Sequence, residues 1–104
     1  LRPHDPDVAV RVTGAMNRPP MAKSPAIQSL YHHAVGLAAE LGFELPEAAM
    51  TGGGSDGNFT AAIGTPTLDG LGCDGDGAHT LQEFCYVSSL APRAALMARL
   101  LETL

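Results

Sequence analysis

A chain of 104 residues holds at most one small domain and buries only a modest core. With 45% apolar and 16% charged residues it lies in the ordinary globular range, which argues against disorder. A net charge of −5 without any Lys/Arg cluster argues against nucleic-acid binding, and no apolar run approaches the ~20 residues that span a bilayer.

No signal peptide is readable, and opening on Leu1 rather than Met points to a missing start. Cys73 and Cys85 stand twelve apart with no second pair, so neither a disulfide framework nor a structural zinc knuckle can be read. The compartment, cytoplasmic or periplasmic, stays open.

In chain order, residues 8–13 (VAVRVT) alternate apolar and polar, which predicts a half-buried strand. NRPPM, residues 17–21, then interrupts any helix or central strand, because its two prolines fix φ and lack a donor. Ser24-Pro25 is a helix opening, with Ser as N-cap and Pro at the first helical position. Ile27, Leu30, Tyr31, Ala34, Leu37, Ala38 and Leu41 follow at three- and four-residue spacing, and Gly42 suits the stop. This predicts a helix over 25–41.

Residues 47–51 (EAAMT) read as a weak strand leading into GGGSDGNF. A short helix follows, capped by Ser55 or Asp56 and closed by Gly64. Residues 65–71 (TPTLDGL) read as another strand before a second glycine-rich loop, GLGCDGDG. A last helix is expected from about Ser89, with Pro92 in its first turn and Leu96, Met97, Leu100 and Leu104 as its apolar stripe. Strands alternating with helices indicate an α/β fold with parallel strands, in which chemistry gathers at the carboxyl ends of the strands. Both glycine loops occupy that place.

Three constellations have chemical content. GGGSDGN, Gly52 to Asn58, presents backbone N–H groups ahead of a helix, an arrangement suited to phosphate or carboxylate. Its spacing is neither a dinucleotide fingerprint nor a P-loop, and a sharp capped turn explains it about as well. GDGAHTLQE, Gly75 to Glu83, places His79 after a flexible loop, as a metal ligand requires, with the Glu83 carboxylate four residues on to orient it. One histidine cannot hold zinc, and a lone loop histidine is more often idle. Arg18, beside Asn17, could grip a carboxylate bidentately or stand as an ordinary surface charge.

Other features carry less. His32 and His33 are adjacent on a helix and point apart, so they read as a partly exposed pair. Asp74-Gly-Asp76 lacks the remaining ligands of a calcium loop and reads as an acidic turn. Cys85, within FCYV, reads as packed.

NRPPM, a helix, TGGGSDGNFTAAIGTPTLDGLG, GDGAHTLQEF and VSSLAPRAALMARLL, in that order, resemble the C-terminal part of zinc-dependent glutamate carboxypeptidases of the carboxypeptidase G type. The wider family includes aminoacylases and succinyl-diaminopimelate desuccinylase. The resemblance implies the C-terminal part of a mostly parallel-sheet catalytic domain over residues 19–104, preceded by the last strand of an inserted lid and dimerisation domain and its hinge over 1–18. It implies His79 as a ligand to one of a pair of zinc ions. It also implies a substrate-carboxylate pocket from Arg18, Asn17, Gly53, Gly54, Ser55, Asp56 and Asn58. Glu83 matches a recurrent acidic position, and the parent is expected to be a homodimer acting on small N-acyl amino acids or peptides.

In such an enzyme zinc polarises an amide carbonyl, a metal-activated water attacks, and a glutamate shuttles the proton. The His-x-Asp motif, the Glu-Glu pair and the other ligands that this requires are absent from these residues. No catalytic residue is therefore assigned here, and the chain alone is expected to be inactive. Its parent is expected to remove a C-terminal amino acid, glutamate foremost, from N-acyl or folate-like substrates. Aminoacylase or desuccinylase activity is the alternative within the family. Outside it stand a small anion-binding module and a structural remnant that packs through an exposed sheet edge on another copy.

Overall fold

The computed structural model describes residues 3–104 and is built around two helices. The first, α1 (Pro25–Glu40), opens as the sequence predicts: the Ser24 hydroxyl accepts the Ile27 N–H at 3.2 Å, and Pro25 occupies the first helical position. It closes with Gly42 at φ +83°. The Gly42 N–H donates to Ala39 and the Phe43 N–H to Ala38, both at 3.1 Å. These are the paired bonds of a Schellman stop, which a residue without Cβ makes at little cost. Phe43 is thereby turned back toward the core.

Residues 57–62 form a short helix, α2 (Gly57–Ala62). Asp56 stands at its N-cap without a side-chain cap bond, and Ser55 supplies the hydroxyl instead, accepting the Gly57 N–H at 3.0 Å. A small antiparallel hairpin follows, β1 (Gly75–Asp76) against β2 (Phe84–Cys85), with Gly75 opposite Cys85 and Asp76 opposite Phe84. The final helix, α3 (Val87–Thr103), begins two residues earlier than its stripe suggests. Pro92 consequently lies in the second turn rather than the first, where its missing N–H leaves the Ser88 carbonyl without a helical partner.

Ala34, Leu37 and Ala38 of α1 close on Leu96 and Leu100 of α3, and Phe43, Leu45, Leu68 and Leu71 pack around them. These five lie on the stripes visible in the sequence, whereas Leu41, Met97 and Leu104, expected on the same stripes, stay exposed. His33 Nε2 meets the Thr103 hydroxyl at 2.8 Å and ties the middle of α1 to the end of α3. The Tyr31 hydroxyl donates to the Leu45 carbonyl at 2.9 Å and holds the chain after α1 against its flank.

Around this pair the chain is open. Its radius of gyration is 19.2 Å, against about 13 Å for a compact domain of this length. The strands expected at 8–13, 47–51 and 65–71 are not formed among the described residues, and the sheet is a single antiparallel hairpin rather than a parallel one. The reason is physical. A strand exists only through its ladder, and these segments have no neighbour to bond. Val8, Val10 and Val12 keep their alternation but stay exposed, Val12 at 67%. The Gly75–Asp76 stretch, expected as an acidic turn, is strand β1. Cys85, expected to be packed, is exposed because its strand has one neighbour and an open face.

Candidate functional site

Arg18 and the loop ahead of α2 come together across 36 residues of sequence. The Arg18 stem lies over Gly54, where an added Cβ would stand 3.1 Å from its Cδ. Its guanidinium carbon sits 4.8 Å from the centre of the Phe59 ring. One Nη reaches Asp56 Oδ1 at 3.5 Å, a long contact to a carboxylate that is almost wholly in water. Such a pair contributes little stability and leaves most of the guanidinium donors free.

Asn58 fixes this arrangement from beneath. Its Nδ2 donates to the Pro19 carbonyl at 2.8 Å, and its Oδ1 accepts the Ser55 N–H at 2.9 Å. With both ends of the amide engaged, Asn58 shapes the loop rather than offering a free group. Gly57 is required for the same closeness, since a Cβ there would meet the Thr67 methyl at 3.0 Å. Gly53 has open space around its Cα, and Asn17 is exposed at the bend that leads to Arg18. Arg18, Gly54, Ser55, Asp56 and Asn58 thus form one cluster, with Gly53 and Asn17 on its margin.

His79 lies on the second loop, between β1 and β2. The Thr80 N–H donates to the Gly77 carbonyl at 3.0 Å and closes a turn whose third residue is His79, at φ 66°. That position ordinarily takes glycine, and a residue with a side chain held there costs about 1–2 kcal/mol. Thr80 secures the turn: its hydroxyl donates to the Gly77 carbonyl at 2.7 Å and accepts the Gln82 N–H at 3.1 Å. Nothing in the sequence pattern marked Thr80, whose contribution is wholly local wiring. The His79 side chain projects from an exposed loop, and Glu83 is exposed at its far end. Among the described residues no hydrogen bond or ion pair links His79 to Glu83 or to the Arg18 cluster.

Sequence reasoning passed over Arg93. It stands three residues before Leu96 and seven before Leu100, on the buried stripe of α3, and that placement was the available signal. Its side chain is only 12% exposed, forms a 2.5 Å ion pair with Asp74, and faces the Phe43 ring at 5.9 Å. Its second terminal nitrogen, Nη1, is buried without a partner. Ser89 reinforces the junction: its hydroxyl donates to the Tyr86 carbonyl at 2.7 Å and accepts the Asp74 N–H at 2.9 Å. An open cleft of about 300 Å³ lies beside these groups, between Phe43, Tyr86, Ser88 and Arg93.

The Cys85 thiol is pushed above its ordinary value by the hydrogen-bonding proximity of the Cys73 thiol, then by repulsion from its charge, and last by desolvation.

A family model described as peptidase family M20/M25/M40 matches residues 7–103. The chain belongs to that peptidase family. It is 31% identical over 97 residues to carboxypeptidase G2 of Pseudomonas sp. (strain RS-16), an alignment covering 92% of this chain. The same alignment covers 23% of carboxypeptidase G2, so the chain spans about a quarter of that relative's length. No solved structure matches significantly. M20/M25/M40 membership makes this a piece of peptidase-family sequence, and both loops described above lie inside the matched span. Among the described residues no three His, Cys, Asp or Glu side chains gather as a metal site, so these residues do not by themselves fit a catalytic metal.

Proposed function

We propose that this chain is the C-terminal portion of a zinc-dependent amidohydrolase that removes a C-terminal amino acid, glutamate foremost, from N-acyl or folate-like substrates. The observation that carries the reading is the Arg18 cluster. A guanidinium held over Gly54 and Phe59, with most of its donors free, matches the planar fork of a substrate carboxylate. In this reading Arg18 grips the carboxylate, Asn17 flanks it, and Gly53, Gly54 and Ser55 line the approach. Asp56 holds the arginine until substrate arrives, and Asn58 keeps the loop in shape.

His79 supplies one ligand to the zinc pair of the complete enzyme, its strained backbone fixing the direction of the imidazole, and Glu83 orients it. The other ligands and the general base come from sequence beyond these residues, so the 104-residue chain alone is inactive. Residues 8–13, 47–51 and 65–71 become strands once that sequence supplies their neighbours. The first belongs to a lid and dimerisation domain, and the others to a mostly parallel catalytic sheet. The parent is a homodimer in the cytoplasm or periplasm.

The test compares the complete protein with the 104-residue chain on N-acyl glutamate, N-acyl aspartate and N-succinyl diamino acid substrates, with metal content measured by mass spectrometry. The complete protein is expected to hydrolyse the glutamate substrate with zinc bound, and the short chain to hydrolyse none. His79→Ala in the complete protein is expected to lose one of the bound ions, and Arg18→Ala to raise KM with kcat nearly unchanged. A complete protein that binds no metal, or a His79→Ala variant with full metal content, would overturn the reading.

A further inference from the structure

The two cysteines were unreadable as a pair in the sequence, and the hairpin brings them together. Gly75 lies opposite Cys85 in the ladder, and the Tyr86 N–H donates to the Asp74 carbonyl at 2.8 Å, extending the pairing by one step. Side chains alternate along a strand, so Cys73, two residues before Gly75, falls on the same face as Cys85. Gly75, between them on that face, carries no side chain, and a Cβ there would run into the Phe84 carbonyl. Glycine at this position lets the two strand backbones close together beside Cys85. Both thiols are free and exposed, and the raised ionisation of Cys85 has the Cys73 thiol as its leading cause.

We propose that Cys73 and Cys85 are a dithiol pair that closes to an intramolecular disulfide by exchange with a low-molecular-weight disulfide, clamping the base of the loop that carries His79. One protein thiolate attacks a sulfur of the small disulfide, forming a mixed disulfide and releasing one small thiolate. The second protein thiolate attacks the protein-bound sulfur, forming the Cys73–Cys85 bond and releasing the other small thiolate. The two protons lost by the protein thiols end on the two released thiolates. The protein is oxidised by two electrons and the small disulfide is reduced to two thiols.

The bond closes a ring that contains the whole β1–β2 hairpin. Such a link restricts the chain where its two arms leave the ladder, and the loop between them loses freedom to open. The strained turn at His79 lies at the far end of that ring. Formation and reduction of the bond therefore set how firmly the imidazole is presented.

Oxidised glutathione is the probe. The 104-residue chain is incubated with it in buffer and in concentrated urea, quenched with acid and read by peptide mass spectrometry. The expected product is a linked peptide pair lighter by two hydrogens, formed at least about tenfold faster in buffer than in urea, where the thiols meet only by loop closure. Cys73→Ser and Cys85→Ser are each expected to accumulate a single glutathione adduct instead. Equal rates in buffer and urea, a stable adduct on both cysteines of the unaltered chain, or disulfide-linked dimers as the main product would overturn the proposal. Amide exchange across residues 77–83 is expected to slow on oxidation. Unchanged exchange with the bond formed would overturn the clamp.

Discussion

Arg93, on the second turn of α3, reaches back to Asp74 at 2.5 Å, so the last helix grips the chain just before the hairpin that bears His79. The arginine is nearly buried, while the aspartate is half in water. The two partners should therefore not be equivalent. Arg93→Ala removes the ion pair and the stem packed near Phe43, and is expected to cost about 2 kcal/mol. Asp74→Asn keeps a hydrogen-bond acceptor and should cost about 1 kcal/mol or less. Urea denaturation of the two variants checks this, and equal losses would show that the packing of the arginine contributes nothing.

Leu96 is fully enclosed in a core with few members. Leu96→Ala is expected to destabilise by about 2–5 kcal/mol, enough to remove a cooperative transition from a chain with so small an interior. Met97, its neighbour, is 41% exposed, and Met97→Ala should shift the transition by less than about 1 kcal/mol. Circular dichroism at the helical band during thermal melting separates the two.

The turn at His79 makes an opposite prediction for stability. At φ 66° a glycine is free of the strain that any Cβ brings. His79→Gly should be more stable than His79→Ala by about 1 kcal/mol, although both remove the imidazole. The comparison isolates backbone strain, because the side-chain function is lost equally in the two variants.

The raised ionisation of Cys85 gives a prediction in pH. A thiol whose value is raised carries less thiolate at any pH below it, so its alkylation is slowed there and recovers only at higher pH. Iodoacetamide should therefore label Cys85 more slowly than a cysteine in an unstructured peptide at mildly alkaline pH. Replacing Cys73 with Ala removes the leading cause, and the labelling curve of Cys85 should move to lower pH. A curve that stays in place would show that Cys73 is not the cause.

How far these elements were legible depends on the range of the physics involved. Helix α1 is written within its own residues, by Ser24 and Pro25 at one end and Gly42 at the other, and it forms almost where the sequence places it. The stripes on α1 and α3 likewise name their own buried faces. Val8, Val10 and Val12 declare a strand by alternation, but alternation cannot supply a hydrogen-bonding neighbour. The Arg18 cluster is similar in kind. Each residue could be singled out, yet the meeting of Arg18 with Gly54 and Asn58 with Pro19 is a long-range event. Arg93 was hidden because a cation on an apolar stripe looks like an interruption until Asp74 is found opposite it.

The pairing of α1 with α3 has a consequence for everything between them. Leu37 and Leu96 belong to one core, and the stretch carrying residues 52–58 and 77–83 runs between the two helices that form it. Neither loop has an interior of its own to set its shape. Local hydrogen bonds shape each loop, but both are tethered to the same clasp, so a defect deep in the helix pair, far from either loop, should loosen the two together.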